Sequence, residues 1–121
     1  MAFEHSLDIR VVEKHQDGVT VECPLRPDLL NETGVVHGGV TAAIADEAVW
    51  HALKHHYGDG IPNTTTELKV NYLRPIAGSK VIARTYLVRP GRTLCVGRVD
   101  LFDDERRLSA IAVVTYILLR S

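Results

Sequence analysis

Asp46 poses the first chemical question in this sequence. Its neighbours three and four residues away, Ala42, Ala43, Val49 and Trp50, are all apolar, and on a helix these are the side chains that flank it. A carboxylate on an apolar helix face must be paired, protonated or put to use. Glu47 differs, because it heads a polar stripe through His51, Lys54 and His55 that reads as the solvated side. The same helix opens at Val36-His37-Gly38-Gly39. The N–H groups of a first helical turn have no helical partners, and Gly38 and Gly39 carry no side chain to hinder a ligand carbonyl. With the positive end of the macrodipole, that turn can hold a developing oxyanion. Taken alone, His-Gly-Gly is a weak signal, since glycines before a helix commonly make only a turn. Asp46 lies eight residues beyond Gly38, or ~12 Å along the axis. One chain would struggle to bring both to a single substrate. A two-fold dimer can set Asp46 of one chain beside Gly38 of the other.

The elements that must position these groups follow from hydrophobic period. Leu7 to Val11 alternate as a half-buried strand does. Gln16-Asp17-Gly18 is a turn, and Val19, Val21, Cys23 and Leu25 give a second strand in a hairpin. Pro24 demotes that strand to an edge or ends it early. Residues 27–34 form a loop. The helix runs from His37 to Tyr57, stopped by Gly58-Asp59-Gly60 and Pro62, and its first half is apolar nearly all round, which predicts a buried helix. The period then becomes two. Thr65 to Leu73 is a strand with Leu68, Val70 and Tyr72 on one face and Glu67, Lys69 and Asn71 on the other. Lys80 to Arg89 and Thr93 to Phe102 follow. Leu108 to Leu119, apolar on both faces, reads as a central strand. The order β-β-α-β-β-β-β is an α+β fold in which an antiparallel sheet wraps one helix. A single such unit is thin, and pairing of two would extend the sheet and cover the loop before the helix.

At 121 residues, with 45% apolar and 24% charged, the chain is sized for one domain, 1–121. No uncharged apolar run approaches the ~18–20 residues of a membrane span, and the start Met-Ala-Phe-Glu-His lacks signal-peptide character. Cys23 and Cys95 sit in strand-like apolar surroundings and read as free thiols in a reducing cytoplasm. A net charge of −1 argues against nucleic-acid binding. The distribution is uneven. Residues 1–60 carry 4 Lys+Arg against 10 Asp+Glu, a balance of −6, and residues 61–121 carry 10 against 5, a balance of +5. The second half therefore supplies either a local phosphate-binding patch or scattered surface arginine.

Three blocks carry a family resemblance. Asn31-Glu32-Thr33-Gly34-Val35-Val36-His37-Gly38-Gly39, six residues and then Asp46 resemble the signature of hotdog-fold acyl-CoA thioesterases, in particular the phenylacetate-pathway and human thioesterase-superfamily-member type. Glu67-Leu68-Lys69-Val70-Asn71-Tyr72-Leu73-Arg74-Pro75 and Pro90-Gly91-Arg92-Thr93-Leu94 are similar to further blocks of that family. The resemblance implies a hotdog fold, a homodimer with two active sites at its interface, and a homotetramer built as a dimer of dimers. It implies hydrolysis of an acyl-CoA substrate without metal or organic cofactor. Carried over by position, Gly38 donates its N–H to the thioester carbonyl, and Asp46 of the partner subunit is general base or nucleophile. Asn31 and His37 position the substrate and the start of the helix, and Gly39 lines the substrate site. Thr65 falls where the family holds the hydrolytic water, with Thr64 a close rival. Arg74, Arg89 and Arg92 are candidates for the coenzyme A phosphates. The first expected strand begins close to Met1, so the N-terminal helix that some relatives carry is expected to be absent. Trp50 stands one turn past Asp46, where it narrows the acyl tunnel or fills core.

Rival readings are weaker. His51 and His55 have the i, i+4 spacing of a metal pair, but no ligand-spaced Asp, Glu or Cys joins them. There is no G-x-S-x-G for a serine triad. A hotdog hydratase or dehydratase pairs a His with its carboxylate, and no His is well spaced from Asp46. A non-catalytic acyl-CoA-binding module would not need Asp46 and Gly38 together.

Overall fold

The protein is described from a computed structural model covering residues 7–119. Strand β1 (Arg10–His15) turns through Gln16-Asp17 into β2 (Gly18–Pro24). A short 3₁₀ turn (Pro27–Leu29) and a loop lead to helix α1 (Gly38–Tyr57). Strands β3 (Asn63–Tyr72), β4 (Lys80–Pro90), β5 (Leu94–Phe102) and β6 (Leu108–Leu118) complete the chain. All pair antiparallel in one six-stranded sheet of order β1-β2-β4-β5-β6-β3. The helix therefore carries the chain from one end of the sheet to the other, across a single face.

Helix burial follows from that single-sided packing. Thr41, Ile44, Ala45, Ala48, Val49, Ala52 and Leu53 are buried, a three-and-four spacing that makes one continuous stripe. They meet Val19, Val21, Val81, Ala83, Val99, Leu101 and Val114 of the sheet, all fully buried. The expectation of a helix buried nearly all round is corrected here. Ala42, Ala43 and Trp50 are only half-buried, because among the described residues no second layer covers that side. Trp50 packs against the edge of the core, with the Lys54 ammonium 4.5 Å over its ring. The helix lies chiefly against β2 and β4. It reaches β3 only through polar contacts at Thr65 and Tyr72, and Leu68 and Tyr72 on the helix-side face of β3 stay exposed at 38% and 55%.

Other expectations shift. The first strand begins at Arg10 and not at Leu7, although Leu7 is buried. The two-residue hairpin with β2 sets its register, and as an edge strand it needs little apolar alternation. Pro24 ends β2 but does not place it at an edge, because β2 is flanked by β1 and β4. Strand β6 is interior, between β5 and β3, yet only one face is buried. Ala110, Ala112, Val114, Tyr116 and Leu118 point to the helix side, and Ile111 and Val113 remain 38% and 41% exposed because, among the described residues, nothing covers the outer face of the sheet.

Candidate active site

Asp46 sits half-buried at the margin of the α1 stripe, facing β3 and β6. Two hydroxyls converge on one of its oxygens. Thr65 Oγ1 and Tyr116 Oη each donate to Asp46 Oδ1 at 2.8 Å, and the same phenol lies 3.1 Å from the Asp46 carbonyl oxygen. Among the described residues no buried side-chain oxygen lacks a partner, so Oδ2, which takes no protein hydrogen bond, is open to solvent. Burial pushes the Tyr116 phenol well up, with the Asp46 carboxylate adding to the shift. Tyr116 therefore stays a neutral O–H donor. The arrangement is a carboxylate held by one oxygen and presenting the other.

The Thr65 contact depends on a β-bulge. Leu68, Val70 and Tyr72 face the helix side, and strict alternation would add Thr64 and Thr66 to them. Instead Thr65 pairs with Tyr116 and Glu67 with Thr115, leaving Thr66 as the extra residue. The bulge reverses the parity and turns Thr65 inward toward Asp46. Thr64 is exposed.

The helix start is fixed from both sides. Asn31 Oδ1 accepts from the Thr33 N–H, the Thr33 hydroxyl and the Val35 N–H at 2.9, 2.8 and 3.1 Å. Its side-chain oxygen thus organises the loop, and the buried Val36 and Leu29 anchor it, with the Val36 N–H donating to the Ile76 carbonyl. His37 caps the helix through its backbone carbonyl, which accepts from Val40 and Thr41, while its side chain is exposed. Among the described residues no acceptor meets the N–H of Gly38 or Gly39. From β3, Tyr72 Oη donates to the Gly38 carbonyl at 2.6 Å. A Cβ on Gly39 would meet nothing within 4 Å.

The structure does not gather all the predicted residues. Asp46 and Thr65 are together; Gly38, Gly39, His37 and Asn31 form a separate group at the helix start. Arg74 follows β3 at that same end. Arg89 and Arg92 lie at the other end of the helix, where Tyr57 Oη donates to the Gly91 carbonyl at 2.6 Å. All three arginines are exposed, so within one chain they form no single patch. Burial raises the Cys95 thiol and holds that of Cys23 at about 11, leaving neither a reactive thiolate. Sequence reasoning missed Tyr72 and Tyr116. The available signal was a phenol among the apolar positions of a strand face, since a buried Tyr hydroxyl needs a partner.

Known proteins share this architecture. The family model of the thioesterase superfamily matches residues 33–110. The medium/long-chain acyl-CoA thioesterase YigI of Escherichia coli K12 is 33% identical over 97 residues, which cover 69% of this chain and 63% of that protein. The structure of thioesterase HI1161 from Haemophilus influenzae superposes with a TM-score of 0.88 at 25% identity, covering 97% of this chain and 82% of that one. BH2602 of Bacillus halodurans, solved with CoA, gives 0.82 at 27% identity over 93% and 74% of the two chains. These hotdog structures share the wrapped helix, and the match across residues 33–110 establishes that the chain belongs to the thioesterase superfamily.

Proposed function

We propose that the protein hydrolyses acyl-CoA thioesters to free acid and CoA at a site shared by two subunits. The observation that supports it best is the carboxylate of Asp46, held at Oδ1 and open at Oδ2. The Gly38 N–H donates a hydrogen bond to the negative charge that develops on the thioester oxygen, a contribution of about 3–4 kcal/mol to the barrier in comparable oxyanion holes. As general base, Oδ2 takes a proton from water as its oxygen bonds to the carbonyl carbon. The tetrahedral intermediate then expels the CoA thiolate, which leaves with that proton. As nucleophile, Oδ2 forms an acyl anhydride with loss of thiolate, and water cleaves it. Asn31 and His37 set the helix start, Gly39 lies beside the carbonyl, and the arginines hold the CoA phosphates. No metal or organic cofactor enters this scheme.

The shared site rests on ~12 Å between Gly38 and Asp46 along the helix and on the free edge of β3, whose Leu68 and Tyr72 are exposed beside the site. A second copy paired along β3 covers them. Dimers of dimers are the assembly proposed for the whole protein. A hydratase reading is disfavoured because the side chains on Asp46 are Thr65 and Tyr116, with no His among them.

Asp46→Asn keeps shape and removes the base. Thiol release from acyl-CoA should fall at least ~10²-fold with melting temperature retained. Wild-type turnover in this variant would refute the assignment.

A further inference from the structure

We infer that Tyr116 is a positioning residue for the catalytic carboxylate, fixing the rotamer of Asp46 so that Oδ2 is the oxygen that reacts. The inference rests on the role proposed for Asp46. Tyr116 lies beyond the segment matched by the family, and it touches Asp46 twice. Its hydroxyl is 2.8 Å from Oδ1 and 3.1 Å from the backbone oxygen of the same residue. A donor bridging a side chain to its own main chain restricts rotation about both side-chain bonds of that residue. The phenol is itself rigidly placed. Its ring is buried, 5% exposed, in a strand interior to the sheet, whereas Thr65 stands on the edge strand and can swing its hydroxyl. With both donors on Oδ1, the lone pairs of Oδ2 are the ones left for a proton or an acyl carbon.

One other polar depression carries less. The depression lined by Lys14, His51, Lys54, His55 and Asp59 already pairs Lys54 with Asp59 and His55 with the His15 carbonyl.

Tyr116→Phe removes one oxygen and keeps the ring. Loss of a hydrogen bond to a charged group should lower kcat about 10- to 100-fold, with KM for acyl-CoA and the melting temperature nearly unchanged. Tyr116→4-aminophenylalanine, which restores an N–H donor at that point, should recover much of the loss. In an Asp46→Asn background, Tyr116→Phe should cost nothing further, since there is no reacting carboxylate left to aim. Wild-type kcat in Tyr116→Phe would overturn the inference, and so would an equal loss in both backgrounds, which marks a packing role. If Asp46→Asn itself retains wild-type turnover, it is the Asp46 assignment that fails, and the two failures are distinguishable.

Discussion

Arg92 stands in the turn between β4 and β5, exposed, and among the described residues it makes no ion pair. A guanidinium in that setting is available to a phosphate, and its contact should be screened by salt. Arg92→Ala should raise KM for acyl-CoA several-fold and leave a truncated thioester without the nucleotide nearly unaffected. KM for the CoA ester should also rise with ionic strength, more steeply than for the truncated ester. Equal effects on both esters would mean that Arg92 acts through structure. At this scale the sequence was informative where a residue type conflicted with its neighbours. Asp46 among Ala42, Ala43, Val49 and Trp50 is such a conflict, and it marks a carboxylate with two hydroxyl partners. Glu47 is half-buried like Asp46, so the two positions differ less in exposure than their neighbours suggest. Tyr116 was illegible because nothing local states which helix residue lies across from it; that depends on how α1 crosses the sheet.

The helix approaches the sheet closely at one point because β5 has a glycine there. A Cβ on Gly97 would lie 2.9 Å from Val49 Cγ1, and Val49 is fully buried. Gly97→Ala should therefore destabilise the fold by ~1–3 kcal/mol, and Val49→Ala in the same chain should relieve the clash and make the pair less costly than the sum of the two single changes. Additive costs in denaturant unfolding would show that the two sites do not meet. A shift of α1 by even a fraction of this contact would also move Asp46 relative to Tyr116, so packing here and geometry in the site are linked. Element order was readable from period, since most inner positions of β2, β4, β5 and β6 are apolar. The bulge was not. Thr64, Thr65 and Thr66 are chemically alike, so sequence gives no sign which is the extra residue, and only the pairing with Thr115 and Tyr116 identifies it. The reach of the helix was also hidden. An apolar first half is equally consistent with burial by the chain's own sheet and with burial by a second copy.

In the whole molecule the two ends of β3 mark the two ends of the helix. Tyr72 bonds to Gly38 at the helix start, and Asn63 follows the loop that leaves the helix at Tyr57. If β3 pairs antiparallel with its own copy, the Tyr72 end of one chain lies beside the Asn63 end of the other. Each site would then take Gly38 and Arg74 from one subunit and Asp46, Thr65, Tyr116, Arg89 and Arg92 from its partner, so that residues separated within a chain meet across the interface. An isologous contact of this kind makes two equivalent sites per dimer. The expected outcome is complementation. Asp46→Asn and Gly38→Val should each be inactive alone. After subunit exchange, a heterodimer holds one site with both groups intact and one with neither. An equal mixture in which half the dimers are mixed should recover about a quarter of wild-type thiol release. Exchange can be followed independently by mass spectrometry of the assembled protein. Full exchange without recovered activity would mean that each chain supplies Gly38 and Asp46 to its own site, and the ~12 Å between them along the helix would then have to be spanned by the substrate within one subunit.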